Sequence, residues 1–143
     1  MARLIPARTA QYVVEAEFSW SIGDTMLNTA GVVDEFASAA AHAFDIINLP
    51  PGAVILSGSL VVNTAFNGST YALIVGDSAV TNRYLATADR KAAAITPLVP
   101  TGYIGQGENL RMTVTPTGTT TAGAGTIRIQ YIVTGKANEV VNA

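Results

Sequence analysis

Hydrophobic side chains recur at every second position along most of this chain, and a period of two marks strands that bury one face. Residues 12–20 set Tyr12, Val14, Ala16, Phe18 and Trp20 on one face and Glu15, Glu17 and Ser19 on the other. Residues 40–47 end in Phe44-Asp45-Ile46-Ile47 and read as a strand, although the alanine run leading into them holds good helix formers. Pro50-Pro51-Gly52 stops that strand, because proline removes backbone donors and Pro-Gly favours a turn. A long apolar strand over 53–63 follows. Asn67-Gly68 then predicts a tight hairpin into a strand over 70–75, since Asn-Gly readily takes positive φ.

Residues 81–100 are the least periodic, and their alanine-rich piece at 87–95 admits one or two helical turns. Alternation returns with Leu110, Met112 and Val114, then with Ile127, Ile129, Tyr131 and Val133. Those two segments predict a second hairpin with both apolar sets facing one core. Short strands, turn punctuation and hardly any helix predict an all-β domain over 12–134. It is a jelly roll or antiparallel β-sandwich, with a barrel as the alternative. Residues 1–11 and 135–143 lack strong periodicity and read as extended terminal arms.

A chain of 143 residues is the size of one domain with one core. Only 13% of it is charged, against roughly 25% in an ordinary soluble domain. The few basic residues are scattered and the net charge is −2, which argues against direct binding of nucleic acid. No run approaches the roughly 18 apolar residues of a membrane span, and Met-Ala-Arg-Leu-Ile-Pro-Ala-Arg leads into no signal-length apolar segment. The expectation is a protein made in the cytoplasm, without a membrane partner. With no cysteine, disulfides and thiol chemistry are excluded.

Candidate chemistry is sparse. His42 is the only histidine and shares a side with Phe44 and Ile46, which reads as a structural histidine. Glu15 with Glu17, and Asp34 with Glu35, are carboxylate pairs that a glycosidase or a metal site could use, but both read as solvated polar faces. The glycines of 102–107 and 123–125 fit no phosphate-binding spacing and read as turns. Neither catalytic residues nor a metal or cofactor site is assigned. Tyr84 and Tyr103 fall in irregular segments, and with Trp20 they are the aromatics that a sugar- or receptor-binding module would stack against a ligand. In the N-terminal arm, Leu4, Ile5 and Pro6 form an apolar cluster between Arg3 and Arg8, suited to a partner groove.

Phe44-Asp45-Ile46-Ile47-Asn48-Leu49-Pro50-Pro51-Gly52-Ala53-Val54-Ile55, Val75-Gly76-Asp77-Ser78, Asn82-Arg83-Tyr84-Leu85 and Arg128-Ile129-Gln130-Tyr131-Ile132-Val133 together resemble small structural proteins of tailed bacteriophages. The resemblance covers residues 44–138 and is to capsid cement, or decoration, proteins of jelly-roll type, such as that of short-tailed Bordetella phages. It implies a non-enzymatic virion protein made in the bacterial host and bound to the outer capsid surface. There it would clamp neighbouring major capsid subunits as a homodimer or homotrimer, with no cofactor. The interface candidates are then Arg3, Leu4, Ile5, Arg8, Arg83, Tyr84 and Tyr103.

Overall fold

The computed structural model describes residues 12–134, so both segments read as arms lie outside the described residues. Among the described residues there are ten strands: β1 (Val14–Ser21), β2 (Thr25–Leu27), β3 (Val33–Glu35), β4 (His42–Ile47), β5 (Ala53–Thr64), β6 (Thr70–Gly76), β7 (Leu85–Asp89), β8 (Ile95–Pro97), β9 (Leu110–Thr117) and β10 (Ala124–Val133). One antiparallel sheet has the order β1-β10-β5-β8 and the other β4-β9-β6-β7, while β2 and β3 form a separate hairpin. The pairs β6/β7, β5/β8, β4/β9 and β1/β10 are nested, each enclosing the one before. Two open sheets with this nesting are a jelly roll, not a closed barrel.

The core follows from the alternation. Leu110, Met112 and Val114 point inward from β9, and Ile127 and Ile129 point back from β10; none is more than 1% exposed. Tyr131 packs at the rim of this core, and Val133, beyond a bulge at Gln130/Tyr131, is half-buried. The shared core face is as predicted, but the second hairpin is not. β9 pairs with β4 and β6, β10 with β1 and β5, so the two strands confront each other from opposite sheets.

The first predicted hairpin is overturned for the same reason, because β5 and β6 lie in different sheets. Neither Asn67 nor Gly68 has positive φ. Asn67 instead ties two crossovers together: its Oδ1 accepts from the N–H groups of Thr121 (2.8 Å) and Ala122 (3.1 Å). The alanine-rich piece 87–95 holds no helix. β7 and β8 complete the edges of their sheets there, and pairing with β6 and β5 outweighs alanine's helix preference.

One aromatic cluster binds the layers. Phe66 stacks on Tyr71 with ring centroids 3.7 Å apart, and Phe36 stacks on Phe44 at 4.4 Å. The fully buried Tyr71 hydroxyl donates to the Phe36 carbonyl (3.0 Å) and accepts from the Trp20 indole N–H (3.3 Å). Burial pushes its pKa from 10.0 up to about 12. An unfolded chain therefore ionises Tyr71 at lower pH than the folded chain does. Its contribution to stability is complete below pH 10.0 and is lost as pH rises toward about 12. Denaturant melts across that window should show falling stability, with a shallower fall in Tyr71→Phe. Equal slopes in the two proteins would assign the alkaline loss to other groups.

Candidate functional site

Two stretches that carry the sequence resemblance, and a third that does not, meet at one end of the sandwich. The turn Pro50-Pro51-Gly52 joins β4 to β5, the β6–β7 loop contributes Asp77 and Arg83, and the β8–β9 loop contributes Tyr103 and Glu108. Gly52 takes φ 88°, a left-handed turn that favours glycine. Its N–H donates to the Gly105 carbonyl (2.7 Å), and the Gly105 N–H donates to Ala53 O (2.9 Å).

Asp77 is 3% exposed and organises the β6–β7 loop. Its Oδ1 accepts from the N–H groups of Ala79 (2.9 Å) and Val80 (2.8 Å), and its Oδ2 accepts from Arg83 Nε (2.6 Å). That hydrogen bond holds the Arg83 guanidinium above its ordinary pKa. Gly76 permits the close return of this loop, since a Cβ there would lie 2.2 Å from the Val80 carbonyl oxygen. The Arg83 guanidinium carbon sits 3.5 Å from the centroid of the Tyr103 ring, a cation–π contact between the two loops. The Tyr103 hydroxyl donates to Glu108 Oε1 (2.7 Å), and the Gln106 N–H donates to Oε2 (2.6 Å). The shared bond raises the Tyr103 pKa and lowers that of Glu108. The result is a clasp: a chain of charge-assisted contacts that fixes one loop against the next.

Arg83, Tyr84 and Tyr103 are thus brought together, but not as a displayed platform. Tyr84 is buried at 5% exposure and Trp20 at 3%, while Tyr103 is half-buried with Arg83 over its ring. The aromatics that a sugar- or receptor-binding module would present are therefore packed inside or capped. Arg3, Leu4, Ile5 and Arg8 fall outside the described residues.

The carboxylate pairs sit elsewhere. Glu15 accepts from Gln130 Nε2 (2.8 Å) and Glu17 from Arg128 Nε (2.8 Å), in two rows across the outer face of the β1-β10-β5-β8 sheet. Asp34 pairs with His42 Nδ1 and accepts from Ser38 Oγ (2.9 Å), which links the β2–β3 hairpin to β4. Among the described residues, no group of three His, Cys, Asp or Glu side chains is placed to hold a metal ion.

Exposed apolar side chains are the surface feature that sequence reading missed. Leu27 and Val33 stand directly opposite each other on β2 and β3 at 58% and 64% exposure, with Val32 beside them at 59%. Ile95 on edge strand β8 is 73% exposed and Val99 62%. The β2 and β3 segments are too short for alternation to show, so only the turn Asn28 to Gly31, with φ 80° at Gly31, could have signalled the hairpin.

Compared by sequence, the chain matches no protein-family profile and no curated protein. Compared by structure, it is similar to a chain in the capsid asymmetric unit of cyanophage Pam1, with TM-score 0.61 and 22% identity over 92% of this chain and 94% of that one. It is also similar to a chain in the acidic stable capsid of Helicobacter pylori bacteriophage KHP30, with TM-score 0.59 and 18% identity over 92% of this chain and 95% of that one. A chain in the capsid of Ralstonia phage GP4 gives TM-score 0.56 and 19% identity over 94% and 93%. The jelly roll built here is thus a fold found, at nearly this full length, among chains of phage capsid structures.

Proposed function

We propose that this chain is a structural virion protein that binds the outside of a phage capsid and cements neighbouring major capsid subunits, with no catalytic step and no cofactor. The supporting observation is the likeness in fold, end to end, to chains of three phage capsid structures. The exposed apolar residues on the β2–β3 hairpin and along β8 suit a surface that partners cover. The partners of this reading are the major capsid protein and further copies of the chain, as a homodimer or homotrimer, with modest single contacts strengthened by multivalency. The clasp keeps Arg83 and Tyr103 in one geometry at the sandwich end, while Arg3, Leu4, Ile5 and Arg8 supply contacts from the arm.

The test is to locate the chain in purified virions by reconstruction, and to rebind purified protein to heads stripped of it. Density outside the major shell and saturable rebinding are the expected results. A virion that lacks the protein, or holds it only inside the shell, would sink the reading.

A further inference from the structure

Asn67-Gly68 makes no hairpin, and each member of the pair is fixed by a different demand of the fold. Asn67 holds the β5–β6 crossover to the β9–β10 crossover with its whole amide group. Besides the Thr121 and Ala122 N–H groups that donate to Oδ1, its Nδ2 donates to Thr121 Oγ1 (2.8 Å). Its own N–H donates to the Ala122 carbonyl (3.3 Å). Gly68 is fixed by crowding, since a Cβ there would collide with Thr120 Oγ1 and lie 3.0 Å from the Thr117 carbonyl oxygen. Asn67 is exposed to water, while the preceding Phe66 is buried against Tyr71.

Together these demands set an asparagine, itself a thermolabile residue, directly before a glycine, and no other asparagine of the chain precedes one. With no side chain on Gly68, nothing hinders its backbone nitrogen from attacking Asn67 Cγ. The N–Cγ bond forms, the Cγ–Nδ2 bond breaks, and Nδ2 leaves as ammonia with the proton from the Gly68 nitrogen. Water then opens the succinimide ring, at Cγ to give aspartate or at the backbone carbonyl to give isoaspartate. We infer that Asn67 is a site of spontaneous deamidation guarded by the tie to Thr121 and Ala122: the ring closes only after those hydrogen bonds let the amide turn onto the Gly68 nitrogen. The aspartate product keeps an acceptor for the two N–H groups. The isoaspartate product does not refit, because it lengthens the main chain by one carbon between the Phe66 stack and the crowded Gly68 and shortens the side chain by the same carbon. Each opening of the tie thus exposes the chain to a change that prevents reclosure. The inference stands apart from the virion reading.

Ageing the full chain tests it, with the exchange of ammonia for water at residue 67 followed by peptide mass mapping and isoaspartate counted by enzymatic methylation. Unfolded in guanidinium chloride, wild type should be modified at Asn67 before any other asparagine, and the native chain at the same pH should react roughly ten-fold more slowly or less. Thr121→Val deletes the Oγ1 acceptor at an exposed position. While folded it should react faster than wild type, and in denaturant at the same rate. In wild type below the melting transition, the reaction should rise with denaturant in parallel with hydrogen exchange of the Thr121 and Ala122 N–H groups, since one opening frees all three. Native wild type that reacts as fast as the unfolded chain overturns the guard, as does a folded Thr121→Val that reacts no faster, or modification that does not follow exchange at Thr121 and Ala122. An unfolded chain that loses another asparagine amide first overturns the site itself.

Discussion

Val114→Asp is expected to abolish cooperative folding. Val114 is fully buried in β9, a central strand, with His42 opposite on β4 and Leu73 opposite on β6. The change removes buried apolar surface worth about 1.5–3 kcal/mol and places a carboxylate in the core, opposite a histidine whose buried Nε2 has no hydrogen-bond partner. An isolated buried charge costs several kcal/mol more, even when the group escapes part of that cost by protonation. The sum reaches the whole stability of an ordinary domain, about 5–15 kcal/mol. Circular dichroism and calorimetry should find no cooperative transition at neutral pH, while Val114→Ala should still melt cooperatively at a lower temperature. A soluble Val114→Asp protein melting like wild type would show that β9 faces the other way.

Asp77→Ala should be the most damaging change outside the core. It leaves the Ala79 and Val80 N–H groups without their acceptor and strands Arg83, whose side chain is only 15% exposed. Removing one partner of a buried ion pair costs about 3–5 kcal/mol. Asp77→Asn retains an acceptor for the loop N–H groups and should lose less. The double change Asp77→Ala/Arg83→Ala should cost clearly less than the sum of the single ones, because the stranded charge is gone. Strict additivity in denaturant melts would mean that the clasp couples nothing.

Which face of β9, β10 and the end of β1 turns inward was legible, because one-sided burial writes itself into alternate positions: Trp20, Met112 and Ile129 all lie where the period of two placed them, whereas Tyr12 and Val14, read on the same face as Trp20, are exposed. Partnership was not legible. Leu110 to Val114 and Ile127 to Ile129 have in-phase apolar sets whether they pair side by side or face each other across a core, and only the distant strands β4, β6, β1 and β5 decide between the two. The same limit hid the clasp. Tyr84 sits in a stretch without periodicity, and its burial is set by Asp77 at the start of its own loop and by Tyr103 and Glu108 from the β8–β9 loop, so nothing adjacent in sequence marked it as an interior residue. The β2–β3 hairpin was equally invisible, since it consists of two strands of three residues each.

The nested pairing also dictates an order of events in time. β6 and β7 are neighbours in sequence, so their pairing closes a short loop, whereas the Glu15–Gln130 contact joins residues 115 apart and closes nearly the whole chain. Loop closure is costlier for each outer pair, and topologies rich in such distant contacts fold slowly. During synthesis β1 leaves the ribosome first yet waits longest for a mate, since β10 is made last of the ten strands. Throughout that wait Phe18 and Trp20 lack their cover, and the strand is open to capture by any complementary edge, including one on a nascent neighbour. Crowded synthesis should therefore favour exchanged β1 strands between chains, and dilution or slower translation should favour self-contained ones.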